Sequence, residues 1–124
     1  MVIKTTLTAK NYNATLKPAL KLFKGDIVYV EFTLVYSIIS SINGKDVEDS
    51  IPLNALQDVK LKLKTPTGTE TLESLEVIDN RARFKIQVSE EIGEYPFMIM
   101  CYDNDGCVFH LPASKYTIVD TIWV

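Results

Sequence analysis

A chain of 124 residues, 47% hydrophobic and 23% charged, can close one core without metal or disulfide, because a domain of this size buries roughly two-thirds of its unfolded surface. A net charge of −3 and a pI near 5.1 exclude a general nucleic-acid binder, whose phosphate contacts demand a basic surface. No apolar run reaches membrane-spanning length, and the start Met1 to Thr8 lacks the apolar core and cleavage site of a secretory leader, so synthesis in a cytoplasm is expected.

Residues 2–8 read as a first edge strand anchored by Ile3 and Leu7. Lys4, Lys10, Lys17, Lys21 and Lys24 enrich this part in positive charge, as a solvated face does. Pro18 disfavours a helix over 10–24 by about 3 kcal/mol, so an extended segment is expected there. The stretch Gly25 to Tyr36 then organises the chain. A Lys24-Gly25-Asp26 turn opens it, and Val28, Val30, Phe32 and Leu34 alternate with Glu31 and Thr33 at the period of two that a half-buried strand requires. It is expected to end near Ile38. Asn43-Gly44 marks a tight bend, and the polar, Pro52-containing run from Asp46 to Leu56 reads as the longest loop, with one helical turn near Leu53.

Gln57 to Lys64 is the clearest strand, with Val59, Leu61 and Leu63 inward and Lys60, Lys62 and Lys64 outward. Thr65-Pro66-Thr67-Gly68 forms a turn, and Glu70 to Ile78 reads as one weaker strand. Arg81 to Val88 alternates again, placing Ala82, Phe84, Ile86 and Val88 inward. Ser89 to Gly93 is expected to make one helical turn, capped by Ser89. Tyr95 to Tyr102 is apolar on both faces, Phe97, Ile99 and Cys101 against Met98, Met100 and Tyr102. A hairpin loop at 103–106 leads into closing strands at 107–111 and 115–119, and the end Thr121-Ile122-Trp123-Val124 is apolar, like a tail that packs on something or a chain cut short. Short strands with turns every 8–12 residues predict an all-β, antiparallel, immunoglobulin-like β-sandwich of about seven to nine strands. Residues 1–124 form a single domain in this reading, with 1–17 as an N-terminal arm or edge strand.

Groups able to do chemistry are scarce. His110 is the single histidine, which suits a structural or solvent-facing role better than a metal site or a triad. Cys101 and Cys107 lack zinc or redox spacing. A loop centred on Asn104-Asp105 sets Tyr102 opposite Cys107 and Cys101 opposite Val108, so two free thiols on opposite faces are expected. Asp103-Asn104-Asp105-Gly106 resembles the start of a calcium loop but has no later carboxylate to complete it, and turn chemistry explains those residues. Glu90-Glu91 cannot flank a sugar ring from two sides. No catalytic residues, metal ligands or cofactor are assigned, and the chain is read as no enzyme.

One feature exceeds a bland core. Met98, Met100 and Tyr102 form a second apolar face, and Ile27, Tyr29 and Val35 add another on the organising strand. Either the N-terminal segment or the 46–56 loop covers this surface, or it is a protein–protein interface.

The order of pieces is similar to the N-terminal domain of phage baseplate upper proteins, found in tails of phages and prophages of Gram-positive bacteria. The residues that carry the resemblance are the Gly25-Asp26 turn and its strand, Val59 to Thr69, Arg83-Phe84-Lys85-Ile86, Glu91-Ile92-Gly93-Glu94-Tyr95, the Tyr102 to Gly106 hairpin and Tyr116-Thr117-Ile118-Val119, about residues 18–120 in all. The resemblance implies a structural virion protein, a sandwich that docks on the baseplate hub and presents receptor-binding parts. It also implies other tail proteins as partners, homo-oligomers in the particle, and only indirect contact with host-surface saccharide. The resemblance implies a linker and further domains after the sandwich, where this sequence stops at Val124, and a shorter 37–56 segment than is found here. The interface residues expected on this reading are Tyr29, Met98, Met100, Tyr102 and Trp123. The alternative is a carbohydrate-binding sandwich, which needs an aromatic platform from Tyr12, Tyr29, Tyr36 or Trp123.

Overall fold

Strands whose every second residue is apolar have one stable solution, two sheets packed face to face, and the computed structural model takes it. It describes residues 2–121. The strands are β1 (Val2–Lys10), β2 (Asn13–Lys17), β3 (Lys21–Phe23), β4 (Ile27–Ile42), β5 (Lys45–Ile51), β6 (Leu56–Thr65), β7 (Gly68–Glu73), β8 (Glu76–Ile78), β9 (Arg81–Gln87), β10 (Gly93–Asp103), β11 (Val108–His110) and β12 (Ser114–Val119). The first sheet runs β2-β1-β4-β9-β8 with β5 added to β4, and the second β3-β12-β10-β6-β7 with β11 added to β10.

The β-sandwich agrees with the sequence; its pairing is richer. Twelve strands rather than seven to nine are present among the described residues, and both sheets are mixed. β1 runs parallel to β4, and β3 runs parallel to β12. β1 is therefore no edge strand: the chain turns at Asn11-Tyr12 and lays β2 along its outer side, so the edge falls at 13–17.

The core forms where the alternation predicts it. Val28, Val30, Phe32 and Leu34 of β4 and Ala82, Phe84 and Ile86 of β9 face Val59, Leu61 and Leu63 of β6 and Phe97, Ile99 and Cys101 of β10, all buried. Phe32 is the hinge of the aromatic packing, edge-on to Phe84 at 6.0 Å and tilted against Phe97 at 5.6 Å. Gly25 opens β4 with φ +79°, a backbone conformation that residues with a Cβ rarely adopt, so the turn favours glycine.

Four local readings need correction. Residues 46–56 are not a long loop: Asn43 and Gly44, with φ of 52° and 76°, make a two-residue hairpin that pairs Ile42 with Lys45 and continues to Tyr36 opposite Ile51. The stretch 70–78 is two strands in different sheets, because the chain crosses the sandwich at Ser74-Leu75, where Ser74 Oγ donates to Asp58 Oδ1 at 3.0 Å and Leu75 N to the Arg83 carbonyl. Ser89 Oγ does accept from Glu91 N at 3.2 Å, yet a bend follows rather than a helical turn; Ile92 has no core to anchor it, and the Tyr95 hydroxyl donates to the Glu91 carbonyl. The 103–107 loop is longer than a centre at Asn104-Asp105 allows, so Tyr102 opposes Val108 and Cys101 opposes Phe109. Asp103 Oδ1 accepts from both Asp105 N and Cys107 N at 2.9 Å and sets that length.

β4 is the longest element, and two strands share one of its edges end to end. β9 pairs with Ile27 to Thr33, and β5 with Tyr36 to Ile42. Asn80 bridges the join: its Nδ2 donates to the Leu34 carbonyl at 2.9 Å, while its own carbonyl accepts from Leu34 N at 2.8 Å.

Asn80→Ala removes the side-chain half of this clamp and is expected to cost about 1 kcal/mol. Phe32→Ala empties the aromatic centre and is expected to cost about 3–5 kcal/mol. Thermal unfolding of the two variants checks the order; equal losses would place the clamp and the core on the same footing.

Candidate functional site

Beyond Ser37 the sandwich stops and β4 does not. β1 leaves β4 at the Lys10–Ser37 pair, and Asn11 closes that edge by donating its N–H to the Ser37 carbonyl and accepting from Ile39 N at 2.7 Å. From there β4 and β5 run on as a two-stranded ribbon, five residues of β4 spanning about 15 Å. Its register places Ile38 opposite Asp49, Ser40 opposite Val47 and Ile42 opposite Lys45 on one face. Parity along β4 makes this the continuation of the core-facing side: Phe32 and Leu34 are covered by the second sheet, whereas Ile38 and Ile42 have passed its end. Ile38, Ile42 and Val47 are accordingly 40%, 55% and 37% exposed. Lys45 and Asp49 share this face with them, whereas Asp46 and Glu48, opposite Ser41 and Ile39, lie on the other face, where Glu48 reaches Lys10 Nζ at 3.3 Å.

The residues expected at an interface do not share a surface. Tyr29, 40% exposed, lies on the outer face of the first sheet; Met98, Met100 and Tyr102 lie half-buried on the outer face of the second; Trp123 lies outside the described residues. Sheet order separates the two groups by the whole thickness of the sandwich. Neither proposed cover lies over Met98: β1 and β2 belong to the first sheet, and 46–51 pair with β4.

The second outer face is also partly dressed. Tyr102 Oη donates to Met100 Sδ at 3.0 Å, and Lys60 Nζ stands 5.3 Å from the Tyr102 ring centre while pairing with Glu73 at 3.2 Å. The hydrogen bond to Glu73, and then the Glu73 charge, raise the Lys60 pKa. Met98 is different. It opposes Lys62 across β6 and lines a shallow depression with Pro96, Ala113, Thr69 and the stems of Lys62 and Lys64. Lys62 Nζ has His110 Nε2 at 3.5 Å, and neither Lys62 nor Lys64 has a carboxylate partner among the described residues. His110 is exposed on β11.

Elsewhere one buried side-chain polar atom among the described residues, Arg83 Nε, has no hydrogen-bond partner. On the first outer face Glu31 Oε1 accepts from Arg83 Nη2 at 3.1 Å, with Glu76, Arg81 and Ile78 around the same cleft. The register sets Glu31, Arg83 and Glu76 in one row of alternating charge, with the ion pair made between Arg83 and Glu31. No group of three His, Cys, Asp or Glu side chains that could hold a metal occurs among the described residues. The tyrosines form no common platform. Tyr29 opposes Val2 at the start of β1, Tyr12 follows its end roughly 30 Å away, and the Tyr36 hydroxyl is turned to the Asn11 carbonyl.

Both thiols are free, Cys101 buried and Cys107 exposed. Burial pushes the Cys101 thiol up to about 12, and burial, then the neighbouring Tyr95 and Glu70, push the Tyr116 hydroxyl to about 12.

No family model matches the chain, and no curated protein matches it. Among solved structures, a putative glycoside hydrolase from Bacteroides vulgatus ATCC 8482 superposes with a TM-score of 0.48 at 10% identity, over 83% of this chain and 17% of that one.

Of this arrangement, sequence reasoning found the apolar face at Met98 and missed the ribbon. Asn43-Gly44 was the available signal, since that pair favours a two-residue hairpin and Ile38 and Ile42 continue the inward period of β4.

The thiol environments give a direct check. A neutral alkylating reagent at pH 8 is expected to modify Cys107 and spare Cys101 until the protein unfolds. Because the folded state holds Cys101 and Tyr116 protonated while the unfolded chain ionises near 9 and 10, their stabilisation is complete below about pH 9 and lost on rising to about 12. Denaturant titrations across that range should show stability falling, less steeply in Cys101→Ala.

Proposed function

We propose that this chain is a non-enzymatic structural module of a phage tail, a β-sandwich that docks on other baseplate proteins and helps present receptor-binding parts. The observation that supports the reading is the ribbon of β4 and β5, whose core-facing side leaves the sandwich with Ile38, Ile42 and Val47 uncovered. A monomer gains nothing from extending a strand past its own core, whereas an assembly gains a preformed apolar face on a stiff support. The second outer face, with Met98 between unpaired lysines, supplies another surface for contact. The opposing charges of Glu31, Arg83 and Glu76 are accounted for as a row within one sheet. The chain would then reside in the virion after synthesis in a bacterial cytoplasm.

Phage particles purified from the strain that encodes the chain should contain it in a fixed ratio to other tail proteins. Ile42→Asp with Val47→Asp should fold, by circular dichroism, and drop out of the particles. Absence of the natural chain from particles, or undiminished incorporation of the double variant, would reject the reading.

A further inference from the structure

We infer, resting on the assembly reading and naming a partner within it, that the β4–β5 ribbon docks face to face on the ribbon of a second copy. The two copies are related by a two-fold axis at the level of Ser40 and Val47. The pattern on the apolar face selects this partner. Its cross-strand pairs are, in order, Ile38 with Asp49, Ser40 with Val47 and Ile42 with Lys45. One end thus carries an isoleucine and an acid, the other an isoleucine and a base, and the centre neither charge. A second copy turned end for end and laid on the first sets Ile38 on Ile42, Ser40 on Ser40 and Val47 on Val47, with Asp49 on Lys45 twice. Neither Lys45 nor Asp49 has an ion-pair partner among the described residues. A partner of another kind would need a base and an acid about 14 Å apart in the reverse order. A purely basic surface would oppose Lys45, and a purely acidic one Asp49. The face is its own complement, which is the condition a two-fold contact sets.

The layers fit as well. In the dimer each ribbon occupies the layer that the other copy's second sheet leaves empty, at the roughly 10 Å spacing of packed sheets. The uncovered Ile38, Ile42 and Val47 of both copies then close one small core. Strand addition at the β5 edge about Val47 would also bring Lys45 to Asp49, but it opposes Asp46 to Glu48 twice and leaves both isoleucines in water. Stacking keeps Asp46 and Glu48 on the outer side, where Glu48 holds Lys10. The contact is small. Five residues of each strand cover about 15 by 10 Å, against roughly 800 Å² a side in a complex of standard size. A weak dimer is therefore expected, one that repeated copies in a particle would reinforce.

Sedimentation equilibrium on the purified full chain, at up to about 1 mM, tests the proposal. The natural chain should form a dimer and stop there, because a two-fold contact uses both faces at once. Lys45→Glu alone sets acid against acid twice, and Asp49→Lys alone sets base against base twice, so each should weaken the dimer about ten-fold or more. Both changes in one chain should restore it. Mixing the two single variants should do the same, since both pairs of the heterodimer are then attractive. Ile42→Asp should abolish the dimer while circular dichroism shows the fold kept. Ser40→Cys in a Cys107→Ser background separates stacking from strand addition. Only stacked ribbons bring the two new thiols within reach of a short bis-maleimide, because β5 stands between them in an edge pairing. A chain that stays monomeric, one that grows past a dimer, exchanged charges that fail to rescue, or thiols that fail to cross-link would overturn the proposal. If the chain is monomeric yet ribbon variants still drop out of particles, the ribbon meets a different protein and only the self-docking falls. If the chain dimerises as described but is absent from particles, the tail reading falls instead.

Discussion

A strand of sixteen residues spans about 50 Å, while β6 and β10, which face it across the core, have ten and eleven. The mismatch must appear somewhere, because alternate side chains of β4 point to the core side along its whole length. Over Val28 to Leu34 those side chains meet Phe97, Ile99 and their neighbours and are sealed. Past Tyr36 no strand lies opposite. The same period that builds the core thus delivers Ile38 and Ile42 to solvent, and β5 follows because an extended strand with bare edges needs a hydrogen-bonding partner. Asn80 and Asn11 mark the boundary, one on each edge of β4, where their amides take up the backbone groups that the arriving and departing strands leave open.

What could be read from the sequence was whatever repeats at two. β4, β6, β9 and β10 each expose one face and bury the other, and their apolar residues announce both the strand and its direction. β5 has no such contrast. All of Lys45 to Ser50 is exposed, so selection for burial leaves no pattern in Lys-Asp-Val-Glu-Asp-Ser, and polarity reads as loop. The parallel partners of β1 and β3 were equally out of reach, since pairing direction depends on which strands meet after collapse and not on local composition. The crossing at Ser74-Leu75 was hidden because β7 and β8 are both edge strands of mostly exposed residues, so neither side of it carries a burial pattern.

The candidate surfaces show the same division. Met98 was legible because Tyr95 to Tyr102 is apolar on both sides, and a strand with two apolar faces has one left over in a two-layer fold. Its neighbours did not all stay open: Tyr102 and Met100 satisfy each other beneath the Lys60 stem, which no spacing rule reveals because Lys60 lies far away in sequence. Tyr29 was grouped with them on hydrophobicity alone, and only sheet order separates it to the opposite side.

The ribbon also bears on how a protein can display apolar residues on an unpaired strand and stay soluble. Its outer edge, β5, is open to strand addition, the usual route to uncontrolled association. Pairing two copies of β5 antiparallel about Glu48 sets Glu48 against Glu48, and pairing them about Val47 sets Asp46 against Glu48 twice, offset by Lys45 against Asp49 twice. A parallel in-register pair opposes every carboxylate to its own copy. Carboxylates outnumber Lys45 along the edge and oppose one another in these pairings, while Ile38, Ile42 and Val47 point out of the ribbon plane.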